Sequence, residues 1–144
     1  MIEIRKTDNI KTISEIHKEI FNETFPVSSY KEKQKYGNLC SYLIYDKENV
    51  GYCLIEKNNE TLDYYIWLGG ILKKYRKKGY WKNFINYLII EAKKEKYKKI
   101  KIATYNHWKD MLGFLIKNNF RIIGVSEGKY GDKIKIHLEY EIGQ

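Results

Sequence analysis

The stretch from residue 62 to residue 94 constrains the fold more than any other part of the chain. Residues 62–71, Leu-Asp-Tyr-Tyr-Ile-Trp-Leu-Gly-Gly-Ile, read as a strand with two adjacent glycines near its end. Paired glycines there suggest a bulge, or a place where another backbone or a ligand comes very close. The chain then runs through Leu72-Lys73-Lys74-Tyr75-Arg76-Lys77-Lys78-Gly79-Tyr80 into a stretch of helical period, with Trp81, Phe84, Ile85, Leu88 and Ala92 on one side. A helix leaves its first amides unpaired and carries positive dipole at that end, so this junction is suited to an anion. Gly79 lets a phosphate approach the backbone, and Lys74, Arg76, Lys77, Lys78 and Lys82 add charge with no acidic residue between positions 72 and 90. A solvated basic loop is the plainer reading; the flanking strand and helix favour a pyrophosphate site. Neither a P-loop run nor the three spaced glycines of a dinucleotide-binding turn is present.

The remaining segments supply the context. Residues 1–5 alternate as a first strand. Ile10, Ile13, Ile16, Ile20, Phe21 and Phe25 recur at helical spacing, with Asp8 or Asn9 to cap the start and Pro26 to stop it. His17 lies beside that stripe and reads as a helix-surface or boundary residue. Residues 28–37 are polar and read as a loop with at most one short helix. Strands are expected over 39–45 and 50–56, a further strand over 99–104, and a helix around Met111, Leu112, Leu115 and Ile116. A closing hairpin joins 120–126 to 133–142 through Gly128 and Gly131-Asp132. The order is strand, helical region, three strands, helix, strand, helix, two strands. That is one mixed-sheet α/β (α+β) domain over residues 1–144.

Composition narrows the function classes. The 144 residues are 43% hydrophobic, and no run reaches the length of a bilayer span. With no basic-then-apolar leader at the start, a cytoplasmic location is expected, with Cys40 and Cys53 as free thiols. Two cysteines and three scattered histidines offer no metal-ligand spacing. The net charge of +9 invites a nucleic-acid reading. Only Arg5, Arg76 and Arg121 among the 27 basic residues are arginines, the usual readers of base edges, which counts against it. The charge is also uneven: residues 1–68 carry net −2 and residues 69–144 net +11. One half suits a polyanion and the other is mildly acidic.

With these segments in order, the chain resembles the GCN5-related N-acetyltransferase (GNAT) superfamily over almost its whole length. The family signature Arg/Gln-x-x-Gly-x-Gly/Ala is similar to Arg76-Lys77-Lys78-Gly79-Tyr80-Trp81. Val50-Gly51-Tyr52 sits where the sheet resumes in relatives, Asn106 follows the fifth strand, and Leu115-Ile116-Lys117-Asn118-Asn119-Phe120 looks like the end of the last helix. The resemblance implies a mostly antiparallel sheet of about seven strands flanked by helices, with a splayed parallel pair forming the cofactor cleft. It implies acetyl-CoA or another acyl-CoA as co-substrate and no metal. The backbone of Gly70, Ile71 and Leu72 would pair with the pantetheine arm, and an N–H at the bulge, near Ile71, would bind the thioester carbonyl. Amides near Lys77, Lys78, Gly79, Tyr80, Trp81 and Lys82 would hold the pyrophosphate, with Arg76 and Asn106 as further cofactor contacts.

Three positions depart from the family pattern. Trp81 stands where relatives carry Gly or Ala; its ring turns into the core or crowds the phosphates, and its spacing with Phe84, Ile85 and Leu88 favours the core. Leu115 replaces the tyrosine that often protonates the leaving thiolate, which removes a rate factor of ~10 to 10⁴. Tyr105 or Tyr130 are the candidate replacements. Where some relatives place a glutamate base there is Tyr65, and Asp63, on the same strand face, is the nearest carboxylate. The catalytic candidates are thus Asp63, Tyr65 and Tyr105.

In this fold the acceptor sits against the first helix, the loop after it and the late hairpin. Glu15, Glu19, Glu23 and Glu32 lie there in the acidic half, so the expected acceptor is an amine on a small metabolite, a drug or a peptide. The final strand could also pair two subunits into a homodimer. The rival readings are a GNAT-like fold that binds acyl-CoA or a partner without catalysis, and a basic nucleic-acid-binding module.

Overall fold

The computed structural model describes residues 1–128 and 133–143; Tyr130 and the Gly131-Asp132 turn lie outside the described residues. Strand β1 (Glu3–Lys6) leads to helix α1 (Ile10–Phe21), helix α2 (Val27–Tyr36), and the strands β2 (Asn38–Tyr45), β3 (Asn49–Asn58) and β4 (Asp63–Ile71). A single 3₁₀ turn at Lys73–Tyr75 precedes α3 (Tyr80–Lys94), then β5 (Lys99–Tyr105), α4 (Lys109–Lys117), β6 (Arg121–Glu127) and β7 (Ile134–Glu141). The seven strands form one sheet in the order β1-β2-β3-β4-β5-β7-β6. Every neighbouring pair is antiparallel except β4 and β5.

That parallel pair is short. It is in register from Asp63–Lys99 to Ile66–Ile102 and goes no further, although both strands continue. The two halves of the sheet therefore splay apart beyond Ile66 and Ile102. On the opposite edge of β4 the β3–β4 register shifts by one residue between Leu54–Leu68 and Ile55–Ile66, which leaves Trp67 as the extra residue. The bulge thus sits at Trp67, several residues before Ile71, where the resemblance placed it. A bulge bends its strand and increases local twist, which turns the end of β4 away from β5.

Two apolar layers cover the sheet. On one face α3 lays Trp81, Phe84, Ile85, Leu88 and Ala92 against Tyr64, Ile66, Ile100 and Ile102. On the other, α1, α2 and the segment between them bring Ile13, Ile16, Tyr30 and Phe25 onto Tyr52 and Leu54. Gly51 is required where it is: a Cβ there would lie 2.5 Å from the Gly70 carbonyl oxygen.

Two sequence expectations change at the α1–α2 corner. Helix α1 ends at Phe21, where Asn22 adopts a left-handed conformation (φ 53) and its N–H bonds the Lys18 carbonyl. Pro26 opens α2 rather than closing α1, with its carbonyl accepting from Tyr30 N–H. Helix α2 buries only Tyr30, and so shows no apolar stripe from which to read it. A third change concerns assembly. Strand β7 lies between β5 and β6, so both its edges are occupied and it cannot pair between subunits; β6 is the outer strand.

Candidate active site

The splay opens a cleft of about 520 Å³ lined from four sides: α1 and the segment after it, the end of β4, the end of β5, and the first turn of α3. Tyr65 to Gly69 form one wall and Ile102 to Tyr105 the other, with Trp81 beneath and Trp108 at the mouth. Phe21 stacks on Trp108 at 5.3 Å between centroids, joining α1 to the chain that follows β5.

Backbone groups of β4 are free along this cleft, in a pattern fixed by the antiparallel ladder. Leu72 N–H bonds the Val50 carbonyl at 2.8 Å, so Leu72 and, two residues back, Gly70 turn their polar groups toward β3. Ile71 and Gly69 turn theirs toward the splay. Of the three residues expected to pair with a pantetheine arm, Gly70 and Leu72 are committed to β3, whereas Ile71, like Gly69, faces the splay. The Ile71 carbonyl already accepts from Arg76 Nε at 3.0 Å. Arg76 therefore ties the loop back onto the strand.

The junction into α3 has the expected form. Gly79 is the N-cap with φ 85, and no side chain caps the helix. A Cβ on Gly79 would meet nothing within 4 Å, so the space beside its Cα is open. Lys77 also has positive φ, at 64, so two left-handed residues turn the loop just before the helix begins. Tyr80 is anchored by its hydroxyl, which donates to Asp46 Oδ2 at 2.7 Å; that bond holds its phenol above the ordinary tyrosine range. Trp81 turns into the core, 8% exposed and stacked on Phe84, and so leaves the loop to Gly79 and the lysines.

Catalytic candidates separate into two groups. Tyr65 and Tyr105 both line the cleft, from opposite walls. Burial, then the Glu56 carboxylate, then Tyr105 keep the Tyr65 phenol above its usual range, hence protonated and able to donate. Asp63 lies at the start of β4, at the paired end of the splay. Its Oδ2 accepts from Thr61 Oγ1 at 2.7 Å and lies 3.4 Å from Lys101 Nζ, and it does not line the cleft. It is buried and paired, so neither the base role nor a solvent-facing strand end describes it. Asn106 is exposed in the turn after β5, where its N–H bonds the Ile134 carbonyl, and it too is absent from the lining. Leu115 is fully buried in the core under α4.

Among the described residues, three buried side-chain polar atoms have no hydrogen-bond partner: His17 Nε2, Trp81 Nε1 and Thr104 Oγ1. All three residues line this one cleft. An unpaired buried polar atom costs roughly 1–3 kcal/mol, and three of them around one opening point to a polar ligand there. His17 was read as a boundary residue, yet it is 1% exposed. The signal was its spacing, four after Ile13 and seven after Ile10, which places it on the core stripe. For Thr104 the signal was a hydroxyl ending the inward-facing run Ile100, Ile102. Of the four glutamates expected at an acidic rim, Glu23 lines the cleft; Glu15, Glu19 and Glu32 are exposed elsewhere.

A seven-stranded sheet with one splayed parallel pair and an uncapped, glycine-opened helix beyond it agrees with one family in particular. The family described as Acetyltransferase (GNAT) matches residues 10–133. The chain belongs to it. No curated protein matches the chain in sequence. Solved structures show how far this GNAT fold extends. The ribosomal-protein-S18-alanine N-acetyltransferase from Escherichia coli is 10% identical, covering 100% of this chain and 96% of its own, with a TM-score of 0.87. Arabidopsis thaliana NAA60 in complex with acetyl-CoA is 16% identical over 99% of both chains, with a TM-score of 0.80. A mutant form of the spermidine/spermine N-acetyltransferase SpeG from Vibrio cholerae is 11% identical, covering 98% and 95%, with a TM-score of 0.77. At such identities the likeness is one of fold. Among the described residues there is no group of three or more His, Cys, Asp or Glu that could hold a metal ion. No described helix is long and apolar enough to cross a membrane.

Proposed function

We propose that this GNAT-family chain transfers an acetyl group from acetyl-CoA directly to an amine. The observation that carries the reading is the edge left by the splay. Gly69 presents a backbone donor and acceptor and Ile71 a donor that no strand takes up, and that edge leads into the uncapped α3 amides and five nearby cations. An extended amide-bearing arm ending in a diphosphate matches both parts at once.

When bound, acetyl-CoA supplies an activated thioester carbonyl. The chain's own groups then divide the work. Gly69 and Ile71 hold the arm in register, and the Lys77 to Lys82 amides hold the diphosphate. An N–H at the Trp67 bulge or at Gly69 donates to the carbonyl oxygen as the amine attacks and charge builds on it. The C–N bond forms, the C–S bond breaks, and the sulfur leaves with the electron pair. Of the two protons the ammonium must lose, one passes to solvent water before the nitrogen attacks and the other ends on sulfur; Tyr65, its phenol protonated, and Tyr105 face each other across the cleft to deliver it, in place of the tyrosine that Leu115 replaces. Trp67, Trp108 and Phe21 narrow the mouth and limit the water that competes with the amine.

Binding and turnover test this in order. Acetyl-CoA should bind saturably by calorimetry, and Arg76→Ala with Lys78→Ala should weaken it about tenfold, the scale of one lost bond to a charged group. Thiol release on a panel of amines should follow. Cofactor binding without thiol release on any amine would favour the silent-binder reading, to which the burial of Leu115 lends support. Tight duplex DNA binding with a steep salt dependence and none for the cofactor would favour the nucleic-acid reading. A homodimer, if formed edge to edge, uses β6, where Ile122, Ile123 and Val125 are about half exposed or more.

A further inference from the structure

His17 is buried in α1, 1% exposed, between the rings of Phe21 and Phe25. Its Nδ1 lies 2.6 Å from the Tyr52 hydroxyl on β3. Tyr52 is fully buried, and burial holds its phenol far above the ordinary range, so the hydroxyl keeps its proton. No other partner of that hydroxyl stands among the hydrogen bonds of the described residues, so it donates to Nδ1. The imidazole is neutral, because burial outweighs the attraction of Glu23 and lowers its pKa. A neutral ring that accepts at Nδ1 carries its proton at Nε2. That Nε2–H has no closer partner than Glu23 Oε1, which faces it from 3.5 Å at the cleft edge.

Among the described residues, Glu23 and Lys135 are the charged side chains lining the cleft, and Lys135 belongs to the β7 side. Glu23 is half exposed and follows α1, so on its own it would be an ordinary mobile surface carboxylate. The buried donor beside it changes that. A donor held rigid by Tyr52 gives the carboxylate one preferred position, and an ordered anion at the mouth costs less entropy to use than a free one.

We propose that Glu23 is the group that receives the acceptor's ammonium and that His17, fixed by Tyr52, is its positioning residue, so that the cleft selects a primary amine in its cationic form. This deepens the acetyl-transfer reading and rests on it. Lys135 opposes a second positive charge, which makes a monoamine the suitable acceptor and the suitable probe.

Thiol release is measured with a cationic primary monoamine and with hydroxylamine, a nucleophile largely uncharged near neutral pH, while coenzyme A affinity is followed by calorimetry. Glu23→Gln and Tyr52→Phe should each raise KM for the monoamine about tenfold, the loss of one hydrogen bond to a charged group. The ratio of kcat/KM for monoamine over hydroxylamine should fall by a similar factor, with coenzyme A affinity retained. His17→Gln, whose amide can donate toward Glu23, should lose less of that ratio than His17→Ala. Ring-nitrogen NMR shifts should show His17 protonated at Nε2. The proposal is overturned if the ratio is unmoved in Glu23→Gln and Tyr52→Phe, or if both substrates suffer equally, which would mark a merely structural pair. Absence of coenzyme A binding to the unaltered protein would instead remove the acetyl-transfer reading and this proposal with it.

Discussion

A neutral imidazole buried beside a carboxylate leaves a mark on stability as well as on chemistry. The His17 pKa is lowered in the folded protein from its ordinary 6.5. On acidification through that value the unfolded chain takes up a proton that the native ring still refuses, so stability falls as pH drops below about 6.5 and keeps falling until the native pKa is reached. Glu139 adds a second, lower window. Its carboxylate is held below the usual 4.5, first by the Arg121 guanidinium, and that contribution is lost as pH falls below that value. Chemical denaturation should therefore show a decline in two stages. In His17→Gln the upper stage should flatten while the lower one remains; an unchanged upper slope would mean that His17 is not the titrating group.

At the level of elements, α3 and its entry loop carry the clearest expectation. Gly79 sits at φ 85 with nothing near its absent side chain, so Gly79→Ala introduces backbone strain without a clash, about 1 kcal/mol. The denaturation midpoint should move by that amount with no change in slope, and coenzyme A affinity should fall with it, because the methyl takes up open space through which a phosphate would approach the backbone. This junction was legible in the sequence because local chemistry sets it: a strand, a glycine, a charge run and a 3.6 period are all contiguous. The succession of strands along the chain and helices α1 and α4 followed from the same kind of signal, whereas α2, which buries only Tyr30, gave none. What stayed hidden depends on partners distant in the chain. Trp67 became the bulge only through its pairing across to Leu54 and Ile55, and Gly70 was spent on β3 because Leu72 bonds Val50. Asp63 looked available until Lys101, 38 positions on, neutralised it. Pro26 has the same fixed φ whether it ends a helix or begins one.

For the molecule as a whole, the sheet is two leaves. The leaf β1-β2-β3-β4 meets the leaf β5-β7-β6 through four residue pairs, and beyond Ile66 and Ile102 they part. A ligand lying in that opening touches both, so occupancy should act as a rivet. Amides of Gly69, Ile71 and the end of β5 should exchange slowly with deuterium once coenzyme A is present and quickly without it, while the β2–β3 ladder changes little; equal exchange in both states would deny the rivet. The broken seam then has a meaning beyond catalysis. If an acyl donor completes the sheet as proposed, resistance to proteolysis should rise when acyl donors are plentiful and fall when they run out, coupling the protein's lifetime to metabolic supply.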